Sequence, residues 1–117
     1  MLISLYLGLL VFAAMGGVLL WRPEYLEQLT HVPLSTVESR SEVRATYGGF
    51  GVAVALALFI ALVYSPLRSG ITVAIGLSLI GMAAGRGYSA WLERPSTIIW
   101  GLCAAEAILG ILLFFQV

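Results

Sequence analysis

The stretch Ser96-Thr-Ile-Ile-Trp-Gly-Leu-Cys-Ala-Ala-Glu106-Ala-Ile-Leu-Gly-Ile-Leu-Leu-Phe-Phe115 decides the fold. It is an apolar run with a single charge, Glu106, about halfway along. A run of about 20 apolar residues is long enough to cross the hydrocarbon core of a bilayer as a helix. Laid across a bilayer, this one puts the carboxylate near the midplane. A carboxylate there costs roughly 2.5 to 3.5 kcal/mol on insertion scales. Either the fold offsets that cost or the residue has a task.

The rest of the chain agrees with a membrane setting. Its 117 residues are 61% hydrophobic and 10% charged, with a mean hydropathy of +1.03. Soluble domains carry about 25% charged residues, and a chain this short has too little interior to hide so much apolar surface. One bundle is the size limit, so residues 1–117 are read as a single domain.

Three further apolar runs precede the first one quoted. The spans expected are about 1–21, 42–64, 70–91 and 96–115, with a polar loop over 22–41. The first begins at Met1 without a positive leader, so it reads as a span and not a signal peptide. Trp21-Arg22-Pro23 ends it with an interfacial aromatic, a charge and a helix breaker. Within the loop, Pro23 can open a short interfacial helix whose Tyr25, Leu26 and Leu29 face the membrane. Ser41 is the expected N-cap of the second span. Pro66 to Ser69 is read as a tight turn, and Glu93-Arg94-Pro95 as the last turn. The Trp-Arg-Pro and Trp-Leu-Glu-Arg-Pro ends of spans one and three form a faint internal echo. The expected fold class is therefore all-α, an integral membrane antiparallel four-helix bundle.

Charge excludes several partners. Six Arg and six Glu balance to zero, without Lys or Asp. A nucleic-acid partner would require a basic excess. One Cys and one His leave no intramolecular disulfide and no Cys/His metal cluster. No phosphate-cradling loop followed by Lys-Ser/Thr occurs. No cofactor is expected. Arg22, Arg40, Arg44, Arg86 and Arg94 belong to the loop face and only Arg68 to the other. The positive-inside rule then puts the long loop in the cytoplasm and both termini outside.

Arg44, Arg86 and Glu106 need explaining. Arg86 lies about six residues, roughly 9 Å, inside the end of its span, and Glu106 about ten residues, roughly 15 Å, inside its own. An ion pair between them is feasible if those spans face each other. Arg44, Tyr47, Gly48 and Gly51 share one helical stripe; Ser78, Met82, Arg86 and Ser89 another; Ile99, Cys103, Glu106 and Gly110 a third. Together they can line a cavity open to the loop face.

Arg44, Tyr47, Gly48, Arg86 and Glu106 are thus the expected site for a small anionic or amphiphilic ligand. Gly49, Gly81 and Gly85 are expected at close helix packing, either within the chain or in a homo-oligomer. Membrane lipid is the other expected partner. Two alternatives stay open. Arg86–Glu106 can be a helix staple in a structural subunit of a larger complex, with Arg44 snorkelling to the interface. Or the chain is a lipid-modifying enzyme with Glu106 as acid or base, although no nucleophile–base pair accompanies it.

The element Arg44-Ala-Thr-Tyr47-Gly48-Gly49, with Gly85-Arg86, Glu93-Arg94-Pro95 and Glu106, resembles a bacterial family known as domain of unknown function 4345. The likeness covers nearly the whole chain. Its most specific part is the Arg-Ala-x-Tyr-Gly-Gly element. The turn departs from the family's frequent Asp-Gly-Arg-Pro. The resemblance implies a small four-helix protein of the bacterial inner membrane and a shared residue set, and no reaction. The layout is also similar, at the level of fold alone, to DoxX-like proteins.

Overall fold

The computed structural model describes residues 2–117, in which all regular structure is helical. Helix α1 spans Ile3–Trp21, α2 Glu24–Thr30, α3 Val37–Val43, α4 Phe50–Val63, α5 Ser65–Leu92 and α6 Thr97–Phe114. A π-helical segment, Arg44–Gly49, joins α3 to α4, making one helical run over Val37–Val63. Four helical runs are long and apolar enough to cross a membrane: Ile3–Trp21, Val37–Val63, Ser65–Leu92 and Thr97–Phe114.

Local chemistry moves two boundaries from where sequence spacing puts them. The second span begins before Ser41. Thr36 caps it: its hydroxyl accepts from Ser39 N–H at 3.0 Å, while Ser39 Oγ accepts from Thr36 N–H at 3.2 Å. That reciprocal pair satisfies donors that otherwise lack partners at a helix start. The turn expected over Pro66–Ser69 is instead the first turn of α5. Tyr64 alone breaks the helix, with φ −131° and ψ 92°. Pro66 fits the first turn, where no N–H is needed. Arg68 then reaches back, donating from Nε to Ala61 O at 2.8 Å and from Nη2 to Leu62 O at 3.0 Å. These are terminal carbonyls of α4, where a cation is favoured.

Packing joins two helix pairs. α1 lies on the π segment and α4, α5 lies on α6, and α4 on α5 connects them. The chain is flattened, 43 × 32 × 17 Å. Two close approaches set the pairs. A Cβ at Gly16 would lie 2.5 Å from Val52 N and 2.8 Å from Gly48 O. A Cβ at Gly76 would lie 2.8 Å from Gly110 O. Small residues allow helix backbones to meet this way. The approach expected at Gly49, Gly81 and Gly85 falls elsewhere within the chain. Gly81 and Gly85 face open space, and a Cβ at Gly49 would meet only its own segment's Arg44 O at 3.7 Å. Gly76 faces α6; Gly81 and Gly85 lie on another side of α5.

The main core is Leu5, Phe12, Val54, Ala55, Leu58, Ala61, Leu79, Leu109 and Leu113. A smaller cluster of Leu19, Leu34 and Val43 sits under the long loop, with Leu26 and Tyr47 against it. Leu26 thus turns inward, while Tyr25 and Leu29 stay exposed. On α5 the buried residues are Thr72, Gly76, Leu79 and Ala83, so its last turns run beyond the covered part of the core. Large apolar side chains such as Leu56, Phe59 and Leu77 are exposed on the outer faces. That is the surface expected of helices with hydrocarbon as solvent.

Candidate functional site

Helices α5 and α6 bring Arg86 and Glu106 together. Arg86 Nε donates to Glu106 Oε1 at 2.7 Å, and Nη2 donates to Oε2 at 3.1 Å. The guanidinium meets the carboxylate side-on through two bonds, the geometry that suits its planar fork. The register explains how. Gly76 opposes Gly110, and Cys103 Sγ contacts Ala83 O at 3.3 Å. Glu106 therefore sits opposite Ile80, about six residues or roughly 9 Å below the Arg86 backbone. Helical side chains lean toward the N-terminus of their helix, so Arg86 leans down to it. The Arg86 side chain remains 23% exposed and that of Glu106 13%.

The other candidate residues divide. Tyr47 lies within electrostatic range of Arg86, as does Cys103. Arg44 is directed elsewhere: its Nε donates to Leu20 O at 3.3 Å, at the carbonyl end of α1. Gly48 packs against Leu20, where a Cβ would lie 2.8 Å from Leu20 Cγ. Gly51 meets Gly16. Three members of the Arg44–Tyr47–Gly48–Gly51 stripe thus contact α1. The π segment changes the register between α3 and α4, and α-helical spacing does not foretell such a change.

Sequence spacing also missed a crevice of about 40 Å³ between α4 and α5, backed by α1. Phe12, Phe50, Val54, Ile75, Leu79 and Met82 line it. Ser78 lines it too, but its hydroxyl donates to Ala74 O at 2.8 Å. At about 100° per residue, Ile75, Ser78, Leu79, Met82 and Arg86 fall on one face of α5. Gly76, Ile80 and Ala83, on the α6 side, lie about a quarter-turn away. The signal was present in part, because Ser78, Met82 and Arg86 already shared a stripe. A wider hollow at the loop is formed by Trp21, Arg22, Glu24, Tyr25 and Gln28. There the Arg22 guanidinium stacks 4.8 Å from the Trp21 ring.

These features define a small, all-helical chain with four helices long and apolar enough for a membrane protein, two of them joined by an ion pair. The chain belongs to the family described as Domain of unknown function (DUF4345), which matches residues 1–117. No curated protein and no solved structure matches it.

Proposed function

We propose that this is a bacterial inner-membrane protein whose antiparallel four-helix bundle binds a small anionic or amphiphilic ligand at Arg86, Glu106 and Tyr47. Contacts support the antiparallel arrangement: along α5, residue 69 meets Gln116 just past the end of α6, and residues 76 and 83 meet 110 and 103 of α6. The arginine count supports a cytoplasmic long loop, with both termini outside.

One observation carries the ligand reading. Arg86 commits only Nε and Nη2 to Glu106, and its remaining N–H groups have no protein partner among the described residues. A guanidinium has donors to spare for a second acceptor. The Arg86 side chain is partly exposed, so an anionic or acceptor group from outside the chain can reach these free donors. Tyr47 is near enough to act on Arg86 electrostatically.

The test is binding of a fluorescent polyene fatty acid to the protein in neutral detergent. Wild type should bind it, and Arg86→Gln should lose at least tenfold in affinity. Equal binding by wild type, Arg86→Gln and Glu106→Gln would sink the proposal.

A second reading is favoured by the two bonds of the pair. They cross-link α5 to α6, and Arg44 does the same between the π segment and α1. In that reading the protein is a structural subunit of a larger membrane assembly. It predicts that the loss of Glu106 weakens folding while no ligand is involved.

A further inference from the structure

The apolar crevice and the ion pair share one face of α5, which allows the ligand class to be narrowed. We infer that the site takes a single-chain amphiphile with a singly charged anionic head, and that Glu106 takes up one proton as it binds. This rests on the ligand reading above.

The tail follows from position. Met82, one turn from Arg86 on the same face, lines the crevice, and Ile75 and Leu79 continue it. Phe50 and Val54 form the opposite wall, and Phe12 the back. The crevice has one hydroxyl, and that hydroxyl is satisfied within α5. Nothing in it would hydrogen-bond to a tail. As it stands, about 40 Å³ admits only a methylene or two, taking roughly 30 Å³ for a water-sized group. A longer chain would therefore lie along the opening between α4 and α5, which leads to the exposed outer face. One tail fits that slot better than two. Its head would then lie about level with Met82, at the guanidinium that leans down to Glu106.

The proton follows from charge. The pair is neutral as it stands, with Arg86 and Glu106 in contact. An added anion would leave the site at −1 in apolar surroundings, which is costly. Tyr47 from the π segment and Cys103 from α6 are the other titratable groups that act on Arg86. Neither supplies positive charge, and Arg44 is turned to Leu20 O. Neutrality is restored if Glu106 binds one proton from water on the loop side. The anion then takes the N–H groups of Arg86 that Glu106 does not use. Glu106 itself shows that this guanidinium accepts an anion side-on.

Isothermal titration of the full chain in phosphatidylcholine nanodiscs tests this, with decanesulfonate as probe. Its head stays ionised across the working pH range, so any proton taken up is bound by the protein. Titrations in two buffers of different ionisation enthalpy count that proton. Wild type should take up about one proton per sulfonate, with affinity falling about tenfold per pH unit over that range. Glu106→Gln should bind with no proton uptake and no such pH dependence. Met82→Trp should weaken decanesulfonate at least fivefold by filling the crevice. Decanol and decyltrimethylammonium should bind at least tenfold more weakly than decanesulfonate.

Binding that needs Arg86 but carries no proton overturns the proton coupling and leaves the ligand reading standing. Proton uptake that persists in Glu106→Gln overturns Glu106 as its site. Equal affinity for decanol overturns the anionic head, and binding unchanged in Met82→Trp overturns the tail position. If decanesulfonate does not bind, or binds Arg86→Gln equally, both inferences fall.

Discussion

Replacing Arg86 and Glu106 by leucine, singly and together, separates the worth of their bond from the cost of isolating either charge. The two side chains share two charge-assisted hydrogen bonds, at 2.7 and 3.1 Å, with 23% and 13% exposure. Removing one partner of a buried pair costs about 3 to 5 kcal/mol, because a lone charge remains. Hydrogen bonds between membrane helices average nearer 0.6 kcal/mol, and bonds to charged groups in general about 1.5 to 3. Partial exposure lets Arg86 relax toward the interface and lowers the single-variant cost. We therefore expect about 2 to 3 kcal/mol for each single leucine variant and about 2 kcal/mol of coupling between them. The double variant should then lose about 2 to 4 kcal/mol, clearly less than the two single costs together, because two leucines bring no desolvation cost. The assay is reversible unfolding in mixed micelles of neutral and anionic detergent, followed by circular dichroism. A coupling below about 0.5 kcal/mol would mean that the pair contributes nothing to folding, and the geometry drawn here would be wrong.

Other substitutions test the frame around the pair. Gly76→Ala should destabilise by at least about 1 to 3 kcal/mol, since its methyl would meet the α6 backbone. Gly81→Ala, which meets open space, should shift the unfolding midpoint little in the same assay. Arg68→Ala leaves Ala61 O and Leu62 O without their donor and should cost about 1 to 3 kcal/mol. Protection of the α4–α5 junction against amide hydrogen exchange should fall with it. Arg44→Gln frees Leu20 O and should loosen the end of α1 by about 1 kcal/mol. It should leave decanesulfonate affinity within twofold, which a direct headgroup contact would not allow.

Much of this architecture is written in apolar run lengths. Runs of about 20 residues have few alternatives to a spanning helix, and the four helical runs overlap the expected stretches, the second and third beginning about five residues earlier. The depths of Arg86 and Glu106, counted from their helix ends, also foretold that they could meet. Their contact depends on helix rise and side-chain reach, and both are fixed by covalent geometry. What spacing could not supply was set by local competition for hydrogen bonds. Thr36 and Ser39 start α3 ahead of Ser41 because they satisfy each other's backbone donors. Pro66 reads as a turn residue, yet Arg68 completes the end of α4 and allows α5 to begin at once.

The site was less legible than the fold. Helical spacing groups Arg44 with Arg86, but the end carbonyls of α1 compete for it and its Nε donates to Leu20 O. The Tyr47-Gly48-Gly49 element looked like part of a cavity wall. Gly48 instead admits α1, and the π segment around it resets the direction of every neighbouring side chain. The crevice between α4 and α5 has no sequence motif, because it exists only where Phe50 and Val54 meet Ile75 and Met82. It gains meaning from Arg86, which shares its face of α5.

The most direct test is photolabelling with a fatty acid that carries a diazirine in mid-chain, in bilayers, with the labelled residues mapped by mass spectrometry. Label is expected at Phe50, Val54, Ile75 and Met82, and is lost in Arg86→Gln. Equal label on the exposed outer residues Leu56, Phe59 and Leu77 in both proteins would contradict it.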